Sequence, residues 1–228
     1  MTTTILIPGL LCDAFVWEPL VKKIERAVRV ADLSTQDDLT VMAKDCLAMA
    51  EGQLTLAGHS MGGRVAMEMA RLAPERIERM VLLDTGIHPL KEGELEKRNE
   101  IVRLAHENGM QALVENWLPG MVYEPNQKNK ALMDGLSEMI LRCDTEMHER
   151  QIRALINRPD ASAYLQHISC PVMLVVGRED LWSPVAQHEE MLALLASAKL
   201  GIIEDAGHFA PVEKPDECSE LCVEFINQ

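Results

Sequence analysis

Long apolar runs are absent from this chain of 228 residues. A membrane-spanning helix needs about 20 consecutive, mostly apolar residues, and no stretch of the sequence approaches that length. The start of the chain, residues 1–8, also lacks the basic region and the extended apolar segment of a secretory signal peptide. We therefore expect a soluble, cytoplasmic protein without a membrane partner.

The chain also lacks the cysteine patterns that hold a metal or a disulfide framework. Its six cysteines include no Cys-x-x-Cys pair and no cluster with histidine at zinc-ligand spacing. Cys218 and Cys222 are four residues apart, which predicts that they share one helix face as small apolar residues. We expect neither a metal ion nor another cofactor.

Positive charge is scarce. The chain has 22 Lys and Arg against 36 Asp and Glu, a formal net charge of −14. Nucleic acids and anionic membranes bind to basic surfaces, so we expect neither as a partner. The composition does supply a core, because 47% of the residues are hydrophobic, enough for one globular domain.

A serine between two glycines is the most informative motif. In Gly58-His59-Ser60-Met61-Gly62, a strand-like run at 53–57 precedes the serine and a helical pattern at 64–70 follows it. A Gly-x-Ser-x-Gly turn between strand and helix is typical of a nucleophile elbow, in which a strained turn exposes the hydroxyl. The pentapeptide alone arises by chance in roughly one such chain in ten or fifteen. The assignment of Ser60 as a nucleophile therefore needs support from a base and an acid elsewhere in the chain, because a serine hydroxyl is a weak nucleophile until a histidine takes its proton.

Strand-like runs alternate with helical patterns before and after the elbow. The predicted strands are 3–7, 27–31, 53–57, 79–84, 171–177 and 199–203. The predicted helices between and after them are 17–26, 40–50 with Thr40 as its cap, 64–70, 184–196 and 215–226. This alternation predicts βαβ units and a mostly parallel sheet of about six strands flanked by helices.

The alternation stops in the middle of the chain. No strand pattern occurs between residues 86 and 167, where the helical patterns are 95–107, 110–117, 129–142 and 146–157. This arrangement predicts an all-helical cap, 86–167, inserted into a core that consists of 1–85 and 168–228.

The base and the acid are sought where strands end, since functional groups of open α/β sheets gather at the carboxyl ends of the strands. His208 follows the last predicted strand and is our candidate base. Asp180 follows the strand at 171–177 and is our candidate acid. Asp84 is its competitor, with a structural alternative as a strand-end carboxylate bonded to loop amides.

The remaining histidines are weaker candidates. The side chain of His59 should leave the elbow in another direction from that of Ser60. The others fall in helical patterns or at their edges and are predicted to be surface residues: His88, His106, His148, His167 and His188.

Together these motifs resemble the α/β-hydrolase family, from Ile5 to Phe225, in the order Ser, Asp, His. The resemblance implies a catalytic triad of Ser60, Asp180 and His208, the α/β-hydrolase fold, and a helical cap. The chain starts at the position of the family's third strand, so we expect the first hairpin to be missing and the sheet to have a new edge.

The resemblance also implies an oxyanion hole built from two backbone N–H groups. Met61, which follows the nucleophile, should supply one, and Leu10 the other, with Leu11 as the alternative donor. The family often has His-Gly in this loop, where this chain has Pro8-Gly9. The change removes a side chain that often braces the loop, but it leaves the expected oxyanion-hole donors in place, because Pro8 is not one of them.

The implied reaction is hydrolysis of a carboxylic ester of a small or medium acyl substrate through an acyl-enzyme. A serine nucleophile argues against dehalogenase and epoxide hydrolase chemistry, because relatives of those types use aspartate. Carboxylesterases, pimeloyl-carrier methyl esterases, enol-lactonases and carbon–carbon bond hydrolases share the pattern and stay open as alternatives. A receptor or signalling protein that binds a small molecule and turns it over slowly is the alternative of another class.

Substrate choice is expected to lie in the predicted cap. Trp117 and Trp182 are the candidates for the substrate pocket. Tyr123, Met110, Met121, Met133, Met139 and Met147 are weaker candidates, because methionine at helical spacing more often packs in a core.

A carrier-protein substrate would need a basic docking patch on the predicted cap. The candidate arginines for it are Arg142, Arg150, Arg153 and Arg158. The acids interleaved with them favour an ordinary solvated helix face. The sequence leaves the oligomeric state open.

Overall fold

The structure is a computed structural model that describes residues 2–228. Its strands are β1 Thr3–Ile7, β2 Ala27–Val30, β3 Leu54–His59, β4 Ile77–Leu83, β5 Val172–Gly177 and β6 Ala198–Ile203. They form one six-stranded sheet in the order β2-β1-β3-β4-β5-β6, and each neighbouring pair is parallel. The predicted parallel sheet of six strands is confirmed.

Helices cover both faces of this sheet. The α-helices of the described chain are α1 Glu18–Val21, α2 Leu39–Ala48, α3 Met61–Leu72, α4 Glu94–Asn108, α5 Met110–Asn116, α6 Lys130–Leu141, α7 Thr145–Ile156, α8 Val185–Leu194, α9 Ala210–Glu213 and α10 Pro215–Asn227. Short 3-10 segments lie at Ala14–Trp17, Pro74–Arg76, Leu118–Met121, Glu124–Lys128, Ala161–Ala163 and Leu165–His167. None of the helices formed by residues 2–228 has the length and apolar character needed to cross a membrane.

The central strands are buried because both of their faces are covered. Every residue of β3 and β5 is buried, which explains why these segments read as nearly continuous apolar runs. Alternate residues of β1 point to opposite faces, so that Ile5 and Ile7 pack in one core cluster and Leu6 in the other. Cys218 and Cys222 of α10 are buried in the second cluster, as expected of small apolar residues.

Two helix predictions were wrong in their bounds. The pattern over 17–26 yields only the short α1, because the buried apolar residues Val16 and Trp17 lie on a 3-10 turn that precedes it. The cap of α2 is Asp38 and not Thr40. The Asp38 carboxylate accepts hydrogen bonds from the N–H groups of Thr40 and Val41, which would otherwise lack a partner at the helix start.

Between β4 and β5 the described chain forms helices and no strand. Helix α7 ties this segment to loops at the carboxyl edge of the sheet through Gln151, which is fully buried. Its side chain donates to the carbonyl of Leu33 over 3.0 Å and accepts from the N–H of Leu11 over 2.9 Å. The division of the chain into a core and an inserted cap stays a prediction.

Candidate active site

Ser60 occupies the turn between β3 and α3. Its backbone has φ 54° and ψ −115°, and residues other than glycine rarely adopt such a positive φ. Its N–H donates to the carbonyl of Leu83 over 2.9 Å, and its carbonyl accepts from the Thr85 hydroxyl over 2.6 Å. The turn is therefore held by hydrogen bonds at both of its backbone groups, which keeps the strained conformation in place.

The two glycines of the motif are required by close backbone packing. A Cβ atom at Gly62 would overlap the carbonyl oxygen of Ile7, and one at Gly58 would overlap the carbonyl oxygen of Gly62. Only residues without a side chain let α3 approach β1 and β3 this closely. The sequence motif thus records a steric requirement of the elbow.

Hydrogen bonds connect the three predicted residues, Ser60, His208 and Asp180, in that order. His208 Nε2 lies 2.8 Å from Ser60 Oγ, and His208 Nδ1 lies 2.8 Å from Asp180 Oδ2. An ionised carboxylate can only accept, so the proton of the ring sits on Nδ1 and the lone pair of Nε2 faces the serine hydroxyl. This arrangement can remove a proton from the serine hydroxyl, as a general base must.

Asp180 is buried and is held as a carboxylate. Its Oδ1 accepts from the N–H groups of Trp182 and Ser183 over 2.8 and 2.9 Å. Burial acts to raise the pKa of Asp180, but the charge and hydrogen bond of His208 and the two N–H donors outweigh it, so the pKa is lowered. The group therefore stays ionised at neutral pH.

Asp84, the competing acid, makes a different set of contacts. Its Oδ1 accepts from the N–H of Gly177, the last residue of β5, over 2.9 Å, so it bonds an amide at a strand end and not, as expected for its structural alternative, a loop amide. Burial, and then the nearby charge of Asp180, raise the pKa of Asp84 well above its usual range and favour its neutral form. Within the described chain, Asp180 is the carboxylate that bonds the His208 ring.

A further carboxylate, which the sequence analysis missed, fixes the loop that carries His208. Glu213 Oε1 accepts from the N–H groups of Gly207 and Phe209 over 2.9 and 3.1 Å. On the other side of the loop, the His59 ring nitrogen Nε2 donates to the carbonyl of His208 over 2.7 Å. The only signal for Glu213 in the sequence is an acid shortly after the histidine, which is too common to single out.

The loop after β1 distinguishes the two candidate donors for an oxyanion hole. The N–H of Leu11 is already taken by Gln151 Oε1. The N–H groups of Leu10 and Met61 donate to no atom of residues 2–228, and both residues line the cavity in front of Ser60. Their role in binding an oxyanion stays a prediction.

The cavity in front of Ser60 has a volume of about 400 Å³, which suits a small organic ligand. Its apolar lining includes Leu10, Met61, Ile101, Trp117, Met121, Ile152, Leu155 and Phe209. Trp117 and Trp182, the two predicted pocket residues, both line it, the second with 48% of its surface exposed. Among the candidate methionines of the predicted cap, Met121 lines the cavity, whereas Met139 is buried in the core.

The four arginines considered for a carrier-docking patch each bond to this chain. Arg142 pairs with Asp13, Arg150 donates to the carbonyl of Ser34, and Arg153 pairs with Asp37 and Glu149. Arg158 is buried and pairs with Glu94. A carrier protein as substrate stays a prediction.

Two histidines expected on the surface, His148 of α7 and His188 of α8, are buried. Both lie on the inner faces of their helices, which the helical pattern alone did not reveal. His188 accepts from the N–H of Thr85 over 3.3 Å and so contacts the residue that holds the elbow. Burial lowers the pKa of His148 and of His188 to about 4, and it lowers that of His59 to about 3.

These buried histidines predict acid sensitivity. Their folded-state pKa values lie below the unfolded value of about 6.5. Between these two values, the unfolded chain binds protons that the folded chain does not bind. Their stability contribution is complete above pH ~6.5 and is lost as the pH falls towards about 4. The unfolding free energy of the wild type should fall between pH 7 and pH 5, and in His148→Leu we expect this fall to be smaller by about 2 kcal/mol. Urea unfolding at each pH measures the difference.

The control for this measurement is His167→Leu, since the side chain of His167 is exposed. We expect that variant to follow the wild-type pH dependence within about 0.5 kcal/mol. An unchanged acid sensitivity in His148→Leu would contradict the prediction.

Neither metal ligation nor disulfide formation is evident in the part of the chain that the structure describes. No three histidine, cysteine or carboxylate side chains converge there as a metal site, and the six cysteines are free.

The chain is similar in sequence to known hydrolases. A model of the alpha/beta hydrolase family matches residues 5–221. The chain is 26% identical over 182 residues to 2-hydroxy-6-oxo-6-phenylhexa-2,4-dienoate hydrolase of Comamonas testosteroni, a match of 76% of this chain and 62% of that protein. It is 27% identical over 183 residues to 2-hydroxy-6-oxononadienedioate/2-hydroxy-6-oxononatrienedioate hydrolase of Klebsiella pneumoniae, at 75% and 61% coverage. The chain thus spans about three-fifths of the length of these curated relatives.

Solved structures show the same fold. A malate-bound thermophilic esterase from Thermogutta terrifontis superposes with a TM-score of 0.91 at 24% identity, covering 100% of this chain and 91% of that one. The enol-lactonase from Burkholderia xenovorans superposes with a TM-score of 0.86 at 21% identity, covering 100% and 92%.

Proposed function

The chain belongs to the alpha/beta hydrolase family, and on that basis we propose that it is a serine hydrolase that cleaves a carboxylic ester of a small or medium acyl substrate. One observation carries the proposal. Ser60, His208 and Asp180 are joined by two contacts of 2.8 Å, and Ser60 and His208 line a cavity of about 400 Å³.

The first half of the proposed reaction forms an acyl-enzyme. His208 Nε2 takes the proton of Ser60 as Oγ attacks the ester carbonyl, and the negative charge that develops on the carbonyl oxygen is stabilised by the N–H groups of Leu10 and Met61. The protonated ring then gives its proton to the alcohol that leaves. Asp180 keeps the ring oriented and stabilises its positive charge throughout.

The second half releases the acid. His208 removes a proton from a water molecule, which attacks the acyl carbon, and Ser60 leaves with the proton returned by the ring. The free N–H groups of Leu10 and Met61 support this assignment of the oxyanion site, because a tetrahedral intermediate forms in both halves.

A carbon–carbon bond hydrolase on the same residues is the second candidate. It is favoured by the curated relatives, whose names give 2-hydroxy-6-oxo-6-phenylhexa-2,4-dienoate and 2-hydroxy-6-oxononadienedioate or 2-hydroxy-6-oxononatrienedioate as their substrates. An enol-lactonase is a further variant, since a lactone is a cyclic ester that the same acyl transfer would open. In each case the site would act at a carbonyl carbon within reach of Ser60.

A chain-length panel of p-nitrophenyl esters, from acetyl to dodecanoyl, tests the proposal against these alternatives. We expect multiple turnovers with an optimum among short and medium chains, together with labelling by a fluorophosphonate probe. Turnover of 2-hydroxy-6-oxo-6-phenylhexa-2,4-dienoate at a much higher kcat/KM than any ester would favour the carbon–carbon bond hydrolase. A single burst that ends in a stable adduct would favour a receptor, and absence of probe labelling would contradict a serine nucleophile.

A further inference from the structure

The cavity carries a charge opposite to that of the chain. The chain has a net charge of −14, yet the cavity is lined by more cationic than anionic side chains. The cationic ones are Arg64, Lys91, Lys97, Arg98 and Arg158, and the carboxylates are Glu92 and Glu94. A concentration of positive charge inside a low-dielectric cleft attracts anionic ligands.

Most of this charge is either neutralised or exposed. Arg158 forms a two-pronged pair with Glu94 through contacts of 2.9 and 2.7 Å, and Arg98 Nε bonds the same carboxylate over 2.7 Å. Lys91 and Lys97 are exposed, so water screens their charge.

Arg64 is the half-buried cation of the cavity that this network leaves without a counterion. It lies on α3, four residues after Ser60, which is about 6 Å along the helix axis. Its Nη1 donates to the carbonyl of His88 over 3.0 Å. Its Nε and Nη2 donate to no atom of residues 2–228, and no carboxylate of those residues lies within ion-pair distance of it. Burial, and then the charges of Arg158 and Arg98, lower the pKa of Arg64 to about 9, which still leaves it charged at neutral pH.

We propose that Arg64 binds a carboxylate group of the substrate, so that the preferred ester is one whose acyl part ends in a free carboxylate. The Nε and Nη2 atoms form one edge of the guanidinium, which matches the two oxygens of a carboxylate in a two-pronged contact. Both Arg64 and Ser60 line the same cavity. A short dicarboxylic monoester can therefore place its ester at Ser60 and its free carboxylate at Arg64. This proposal rests on the proposed function for the place of the ester.

Binding to a variant that cannot turn substrate over tests the proposal without relying on catalysis. In the Ser60→Ala background, calorimetry with monomethyl adipate and with dimethyl adipate compares one free carboxylate with its neutral counterpart. We expect the monoanion to bind about 10- to 100-fold more tightly, the range for hydrogen bonds to a charged group. In Ser60→Ala/Arg64→Met this preference should fall to less than about twofold.

Two further variants test whether the preference depends on the guanidinium of Arg64 or only on positive charge near the cavity. Arg64→Lys keeps the charge but not the fork and should retain only part of the preference. Lys97→Met removes a cation from the rim of the same cavity, where water already screens it, and should retain most of the preference. Circular dichroism confirms that each variant is folded.

The outcomes separate this proposal from the proposed function. Equal binding of the two adipates, no binding of either, or the same preference in Arg64→Met would overturn the role of Arg64, whatever the esterase panel shows. A preference that depends on Arg64, found in a protein whose wild type fails to react with a fluorophosphonate, would uphold the carboxylate site and contradict the serine hydrolase.

Discussion

Ser60→Ala is expected to lower kcat/KM for p-nitrophenyl acetate by on the order of 10⁴- to 10⁶-fold, because the variant has no atom that can form the acyl-enzyme. Labelling by a fluorophosphonate probe should be abolished as well. The fold should survive, since within residues 2–228 the hydrogen bond of Ser60 Oγ goes to the His208 ring, and alanine keeps the Cβ atom of the turn. Unfolding free energy should change by less than about 1 kcal/mol.

The matched control is Ser183→Ala. Ser183 lines the same cavity, and its link to the site is its backbone N–H, which donates to Asp180 and is kept in the variant. We expect activity within about threefold of the wild type, an effect of less than 1 kcal/mol. If Ser60→Ala kept more than a few per cent of activity, or if Ser183→Ala lost the activity instead, the assignment of the nucleophile would be wrong.

Asp180→Asn is expected to have the next largest effect, a fall in kcat/KM on the order of 10³- to 10⁴-fold. The asparagine amide can occupy the position of the carboxylate but can donate to His208 Nδ1, which favours the ring tautomer that carries its proton on Nε2. A protonated Nε2 facing Ser60 Oγ cannot accept the hydroxyl proton. Steady-state kinetics across an ester concentration series measures the loss, which should fall mainly on kcat.

Asp84→Asn is the matched control for the acid. The Oδ1 atom of asparagine can accept from the N–H of Gly177 as Asp84 does, and the raised pKa of Asp84 already favours its neutral form. We expect a change of less than about tenfold. A large loss in Asp84→Asn together with a small one in Asp180→Asn would reverse the assignment of the acid.

The prediction from sequence succeeded where local pattern carried the information. Continuous apolar runs identified the buried strands, because in a sheet covered on both faces every residue of a central strand is buried. The elbow was recognisable because a Cβ atom at Gly58 would overlap the backbone of α3 and one at Gly62 would overlap the backbone at the end of β1. A position of His208 near Ser60 could be expected because strand ends in a parallel sheet meet at one edge, and its ring lies 2.8 Å from Ser60 Oγ.

It failed where the outcome depended on which side of an element faces the core. A helical pattern does not say which polar residue points inward, so His148 and His188 were placed on the surface and are buried. The pattern over 17–26 similarly marked apolar residues that pack in the core without lying on one helix.

The sequence by itself thus determined the parallel sheet, the serine elbow and the order of the three candidate residues, because each depends on neighbours in the chain or on the topology of strand ends. Only the tertiary structure decided that Asp180 and not Asp84 bonds the His208 ring. It also decided that Glu94 pairs with Arg158, while Arg64 lines the cavity and has no carboxylate partner among residues 2–228. These residues lie far apart in the chain, so only the packing that brings separate elements together decides which of them pair.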